Sequence, residues 1–177
     1  MRRYAIAILT VATVIALGGV ALAQHGGRGL TKISINGQTV SIDYGRPSLH
    51  GRNVQELLKG KLAPGNGFWR LGANSSTTFT TDTDLKFGDV TVPKGVYSLF
   101  AQRKSDSSWN LVFNKQHGQW GLKHDASLDF AFVPLHESKV SSDAQMLVIR
   151  LEQRGSNTGE VVIHWGDMEL STHFTGA

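Results

Sequence analysis

The chain contains no cysteine. Disulfides, thiol nucleophiles, cysteine-held metals and a lipidated N-terminal cysteine are therefore excluded. A domain of this length can do without disulfides even outside the reducing cytosol, because its core is large enough. Charge is also sparse. Only 18% of residues are Asp, Glu, Lys or Arg, with a formal net charge of +4. No basic run is long enough for a nucleic-acid footprint, so no nucleic-acid partner is expected. The phosphate loop, the Gly-x-Ser-x-Gly elbow and the His-Glu-x-x-His zinc pattern are all missing. No catalytic residue, metal or cofactor follows from the sequence. There is no internal repeat and no low-complexity tract, so one domain is expected.

One long apolar run is present. Arg2 and Arg3 precede the almost wholly apolar stretch from Tyr4 to Val20, and Ala21-Leu22-Ala23 is a small-x-small site before Gln24. This is the pattern of a secretory signal peptide over residues 1–23, cleaved after Ala23. An uncleaved anchor is the alternative, since the run is nearly long enough to span a bilayer. Cleavage predicts a periplasmic or secreted product with no membrane span. It also removes two positive charges, so the pI of 9.5 overstates the basicity of the mature chain.

Residues 24–30 read as a flexible leader. From Thr31 to Tyr44, Ile33, Ile35, Val40, Ile42 and Tyr44 alternate with polar residues about Asn36-Gly37. This is the signature of a type I′ hairpin, whose two turn residues both need positive φ. Pro47 ends the ladder. Asn53 is a good N-cap with Glu56 at the capping-box position, Val54, Leu57 and Leu58 form a short apolar face, and Gly60 is placed to end the helix.

Strands are then expected over 76–81, 85–87, 90–92, 96–101, 109–114, 130–135, 144–152, 161–165 and 170–174. The last two should be joined by a turn at Gly166-Asp167, with His164 and His173 on either side of that hairpin. Val96 to Ala101 is apolar on both faces, as a central buried strand should be. Tyr97, Leu99, Phe100, Leu111, Phe113, Val148 and Ile163 are the expected core, with Trp109 and Trp165. Many short strands, frequent turns and one helix predict an all-β fold, a two-sheet sandwich with jelly-roll-like connections over residues 31–177.

Several short motifs stand in order along the chain. They are Tyr44-Gly45-Arg46-Pro47, Gly51-Arg52, Trp69-Arg70-x-Gly72-Ala73-Asn74, Thr78-Phe79-Thr80-Thr81, Gly95-x-Tyr97-Ser98-Leu99-Phe100, Asn114-Lys115-Gln116, Gly118-Gln119-Trp120-Gly121, Asp125, Asp129 and Trp165-Gly166-Asp167. In order and spacing the chain resembles the bacterial family known as domain of unknown function 2911, over about residues 30 to 175. The resemblance implies an exported, β-rich single domain and transfers no chemistry. It also implies an acidic residue after the Ala-Asn pair and a tyrosine before the first aspartate, where this chain has Ser75 and His124.

The candidate site centres on residues 68–75. Arg46, Arg52 and Arg70 each lie beside Gly, Pro or Trp. Three guanidiniums at one cleft would form an anion site, since each offers a planar fork of donors. Alternatively they pair with Asp43, Asp125 or Asp129 and pin loops. Arg70 lies between Trp69 and Leu71, so its charge should be partly withdrawn from water and should seek Asp125 or Asp129. Asn74 and Asn114 are placed to orient ligand hydroxyls or to satisfy loop backbone. Trp69 and Trp120, with glycines close by, are placed to form a platform for a flat ligand or to close the end of the core. His117, His124, Asp125 and Asp129 share one irregular stretch and are metal-capable types, but match no metal spacing.

The leading expectation is a non-catalytic envelope module that binds a small polar or anionic ligand such as a saccharide. The alternatives are an envelope hydrolase using His124 with Asp125 or Asp129, and a structural envelope protein without a ligand. Oligomeric state does not follow from the sequence.

Overall fold

A computed structural model describes residues 27–63, 67–104 and 108–177. The signal peptide over residues 1–23 lies outside them. The first strand, β1, spans Arg28–Ile35 and so begins inside the expected leader. It pairs with β2, Gln38–Gly45, about the Asn36-Gly37 turn. Asn36 has φ of 49° and Gly37 of 80°, as a type I′ turn requires. Ile35, Val40, Ile42 and Tyr44 are buried, and Ile33 packs against them from the rim.

Asn53 caps α1, Val54–Leu57, by accepting a hydrogen bond from the Glu56 N–H at 3.1 Å. Gly60 does not end the helix. A wider π-helical turn carries the chain on over Leu58–Leu62, which brings Leu62 and Ala63 against the core. The remaining strands are β3 Phe68–Trp69, β4 Thr77–Thr81, β5 Leu85–Phe87, β6 Val90–Val92, β7 Gly95–Arg103, β8 Trp109–Asn114, β9 Asp129–Gln153 and β10 Thr158–Gly176. All pair antiparallel in the order β1-β2-β4-β7-β8-β9-β10-β5-β6, with β3 on β7.

The last four expected strands are two. Nothing interrupts β9 between 135 and 144, and β10 runs through Gly166. A 19-residue strand would span about 60 Å if straight. Yet Gly176 N–H donates to the Asn157 carbonyl at 3.0 Å, and His173 lies 3.6 Å from Glu160. The β9–β10 ribbon therefore folds back on itself. It does so at Gly166, where φ is 61° and the pairing register shifts on both sides. His164, on the same strand as His173, closes the bend: its Nε2 donates to the Gly166 carbonyl at 3.0 Å. The reversal expected at Gly166-Asp167 exists as a bulge within a paired strand, not as a hairpin turn.

The folded ribbon lays one arm against β1, where Leu151 N–H donates to Thr31 Oγ1. The result is an all-β, sandwich-like fold around one buried cluster. Within it Trp69 stacks on Trp165 at 5.6 Å and meets Trp109 edge-on at 6.4 Å. Tyr97, Leu99, Leu111, Phe113 and Ile163 belong to that cluster. Phe100 and Val148 do not. Strand alternation explains both: Leu99 and Leu111 point inward, so Phe100 and Val112 lie on the opposite face, and Val148 stands between the inward Leu147 and Ile149. Phe100 and Val112 are nevertheless buried, and the His124 ring lies 4.2 Å from the ring of Phe100. The irregular stretch before β9 thus covers a second, smaller apolar layer.

Candidate functional site

The stretch 68–76 and the loop 115–128 meet on that outer face. Alternation in β3 sends Trp69 into the core and Phe68 outward to the His124 ring, 4.4 Å away. The chain then turns sharply, with positive φ at Leu71 (49°) and Asn74 (63°). A non-glycine residue in this region is strained, and Leu71 is wholly buried there. Close backbone contact holds the turn. A Cβ on Gly45 would stand 2.0 Å from the Ala73 carbonyl oxygen. Gly121 N–H donates to Asn74 O at 2.8 Å, Ser76 N–H donates to Gln119 O at 2.9 Å, and Ser75 bridges to Trp120. The Gly-Gln-Trp-Gly motif is therefore the neighbour of the Arg70–Asn74 turn.

Arg70 is half-buried at this junction. Its Nε donates to Gly72 O at 3.1 Å, and a Cβ on Gly121 would stand 3.1 Å from its Cδ. It forms no ion pair with any described carboxylate, and burial pushes the guanidinium below its ordinary value. The expected pairing with Asp125 or Asp129 is absent, because nearer groups hold both carboxylates. His124 Nε2 donates to both oxygens of Asp129, each at 3.0 Å. Asn114 Nδ2 donates to Asp129 Oδ1 at 2.7 Å and to Asp125 O at 2.8 Å, while its Oδ1 accepts from Gln116 N–H. Asn114 thus ties the loop to β8 rather than facing a ligand. Asp125 accepts from the hydroxyl and N–H of Ser127, which with His124 hold its carboxyl below the ordinary value.

Among the described residues the three arginines make separate contacts. Arg46 Nε reaches Leu147 O at 3.5 Å. Arg52 donates to Leu49 O and Ser48 O. Arg52 lines a surface hollow of about 390 Å³ with Asn53, Asp143, Gln145 and Asp167. A second hollow, of about 480 Å³, lies by His136 and His173. Neither is lined by Arg70, Asn74 or Trp120. Asp43 pairs with Arg28, which also donates to the Ser75 and Ser76 carbonyls and fastens β1 to the turn. No sequence reading singled out Arg28; its place opposite Gly45 in the hairpin was the available signal.

Trp69 is 1% exposed and offers no face to a ligand, whereas Trp120 is 50% exposed. The Ser76 hydroxyl, in a residue 2% exposed, has no partner among the described residues. No three metal-capable side chains gather among the described residues, and no described helix is long and apolar enough to cross a membrane.

Fold and site together define an all-β, sandwich-like domain with a strained, arginine-bearing turn beneath a tryptophan loop. A family model described as a protein of unknown function (DUF2911) matches residues 28–174, and the chain belongs to that family. No curated protein and no solved structure matches the chain.

Proposed function

We propose that the chain is an exported envelope domain that binds a small polar or anionic ligand without catalysis, through Arg70, Asn74 and Trp120. The signal-peptide pattern of residues 1–23 supports the compartment. One observation carries the binding reading: Arg70 is partly withdrawn from water and meets no described carboxylate. A cation so placed is poorly stabilised until an anion reaches it. A thermal-shift screen of the mature domain against sugars, organic acids and phosphates tests this, since a native-state ligand raises the midpoint by mass action. Stabilisation in the parent that is lost in Arg70→Gln is expected. Equal stabilisation in both proteins would move the ligand elsewhere.

A second reading rests on the His124–Asp129 pair. A carboxylate that orients an imidazole is the arrangement of a general base, and hydrolysis would follow by proton removal from water. Loss of hydrolysis in Asp129→Asn, across a panel of ester and glycoside substrates, would favour this reading. No turnover by the parent would remove it.

A further inference from the structure

We infer that the ligand of the Arg70 site is an acidic sugar, a pyranose unit carrying one carboxylate, free or within an oligosaccharide, gripped at its charged end by the guanidinium and on its ring face by Trp120. This rests on the binding reading above. The Arg70 Nε is occupied by Gly72 O, and its four Nη hydrogens have no protein partner among the described residues. Arg28, Arg150 and Arg154 each meet a carboxylate instead. The Gly72 bond and the packing of Cδ beneath Gly121 fix the fork before any ligand arrives. A pre-set fork loses less freedom on binding, and its geometry suits a planar carboxylate through two parallel hydrogen bonds.

Trp120 directly precedes Gly121 and is half-exposed, while Trp69, Trp109 and Trp165 are 1–2% exposed. An accessible indole offers a flat apolar surface to the C–H face of a pyranose. Asn74 is exposed, and its positive φ places an amide on the same turn to serve ring hydroxyls as donor or acceptor. A single guanidinium balances the single charge of a carboxylate. A phosphate dianion would leave charge unmatched.

The burial of the other three indoles makes quenching by an added solute a report on Trp120. The test is a titration of the mature domain with trigalacturonate, galactotriose and inorganic phosphate, followed by Trp120 fluorescence in the parent and in Arg70→Gln. Calorimetry on Trp120→Ala completes it, and circular dichroism checks that both variants fold. Trigalacturonate is expected to protect Trp120, Arg70→Gln to weaken it about ten- to a hundredfold, and Trp120→Ala to weaken it as well. Equal binding of galactotriose that ignores Arg70 would overturn the acidic-sugar inference while leaving a saccharide module standing. Phosphate binding that depends on Arg70, without trigalacturonate binding, would overturn it in favour of a phosphate site. No binding of any probe would overturn both the inference and the reading beneath it.

Discussion

His124 Nε2 stands 3.0 Å from each carboxylate oxygen of Asp129, a residue whose side chain is 3% exposed. The same carboxylate accepts from Asn114. Removing it leaves two donors under the loop without an acceptor. Asp129→Ala is expected to cost about 1–3 kcal/mol for each donor left unsatisfied, and Asp129→Asn less. Urea denaturation measures both, and an unchanged midpoint for Asp129→Ala would show that the network does not hold the loop.

The main core should respond to truncation as a packed interior does. Leu99 is 1% exposed at the centre of the sheet. Leu99→Ala is expected to cost about 2–5 kcal/mol. Val96, on the same strand but 37% exposed, should lose far less on change to Ala. Equal effects in a denaturation series would mean that the burial assigned to β7 is wrong.

The turn that carries Arg70 depends on backbone contact at Gly45. A Cβ there would overlap the Ala73 carbonyl, whereas one at Gly60 would meet nothing within 4 Å. Gly45→Ala should lower the thermal midpoint clearly. Gly60→Ala should be neutral, or stabilising by about 0.4–1 kcal/mol through the unfolded chain. Similar midpoints for the two variants would contradict the close approach.

Asp125 supplies a pH-dependent tie within the loop. Ser127 holds its carboxyl below the ordinary 3.8. A depressed folded-state value contributes stability above the unfolded value, lost as pH falls through the folded one. The tie between Asp125 and Ser127 should therefore loosen only in acid below about pH 4. Carboxyl NMR titration should find Asp125 titrating low in the parent and moving up in Ser127→Ala. No movement would remove Ser127 as the cause.

Local chemistry was legible where it acts on neighbouring residues. Asn36-Gly37, the Asn53 cap and the short β5–β6 hairpin about Gly88 all depend on a few adjacent residues, and the structure has each of them. Gly166 was harder, because positive φ at a glycine serves a turn and a bulge equally, and only the partner strand tells them apart. The segment 136–143 is polar and largely exposed, so it shows no buried face, yet β10 pairs with its first residues. Among the site residues, the contact of Arg70 and Asn74 with the 118–121 loop joins motifs that composition had already marked. The partners of the charges were not legible: Asp129 meets His124 through a short 3-10 turn, and Asp43 is taken by Arg28. Of the two roles open to Trp69, ligand platform or core, the sequence could not choose, because which side of a two-residue strand enters the core depends on its pairing with β7.

In the proposed role Arg70 is held ready for a ligand rather than used to hold the fold. Denaturation of Arg70→Ala in buffer without any added solute tests this most directly. The variant gives up one hydrogen bond to Gly72 O and some packing beneath Gly121, so a loss of about 1–2 kcal/mol is expected. A loss of about 3–5 kcal/mol, the size seen when a buried ion pair is broken, would mean that the guanidinium has a structural partner and would contradict the account.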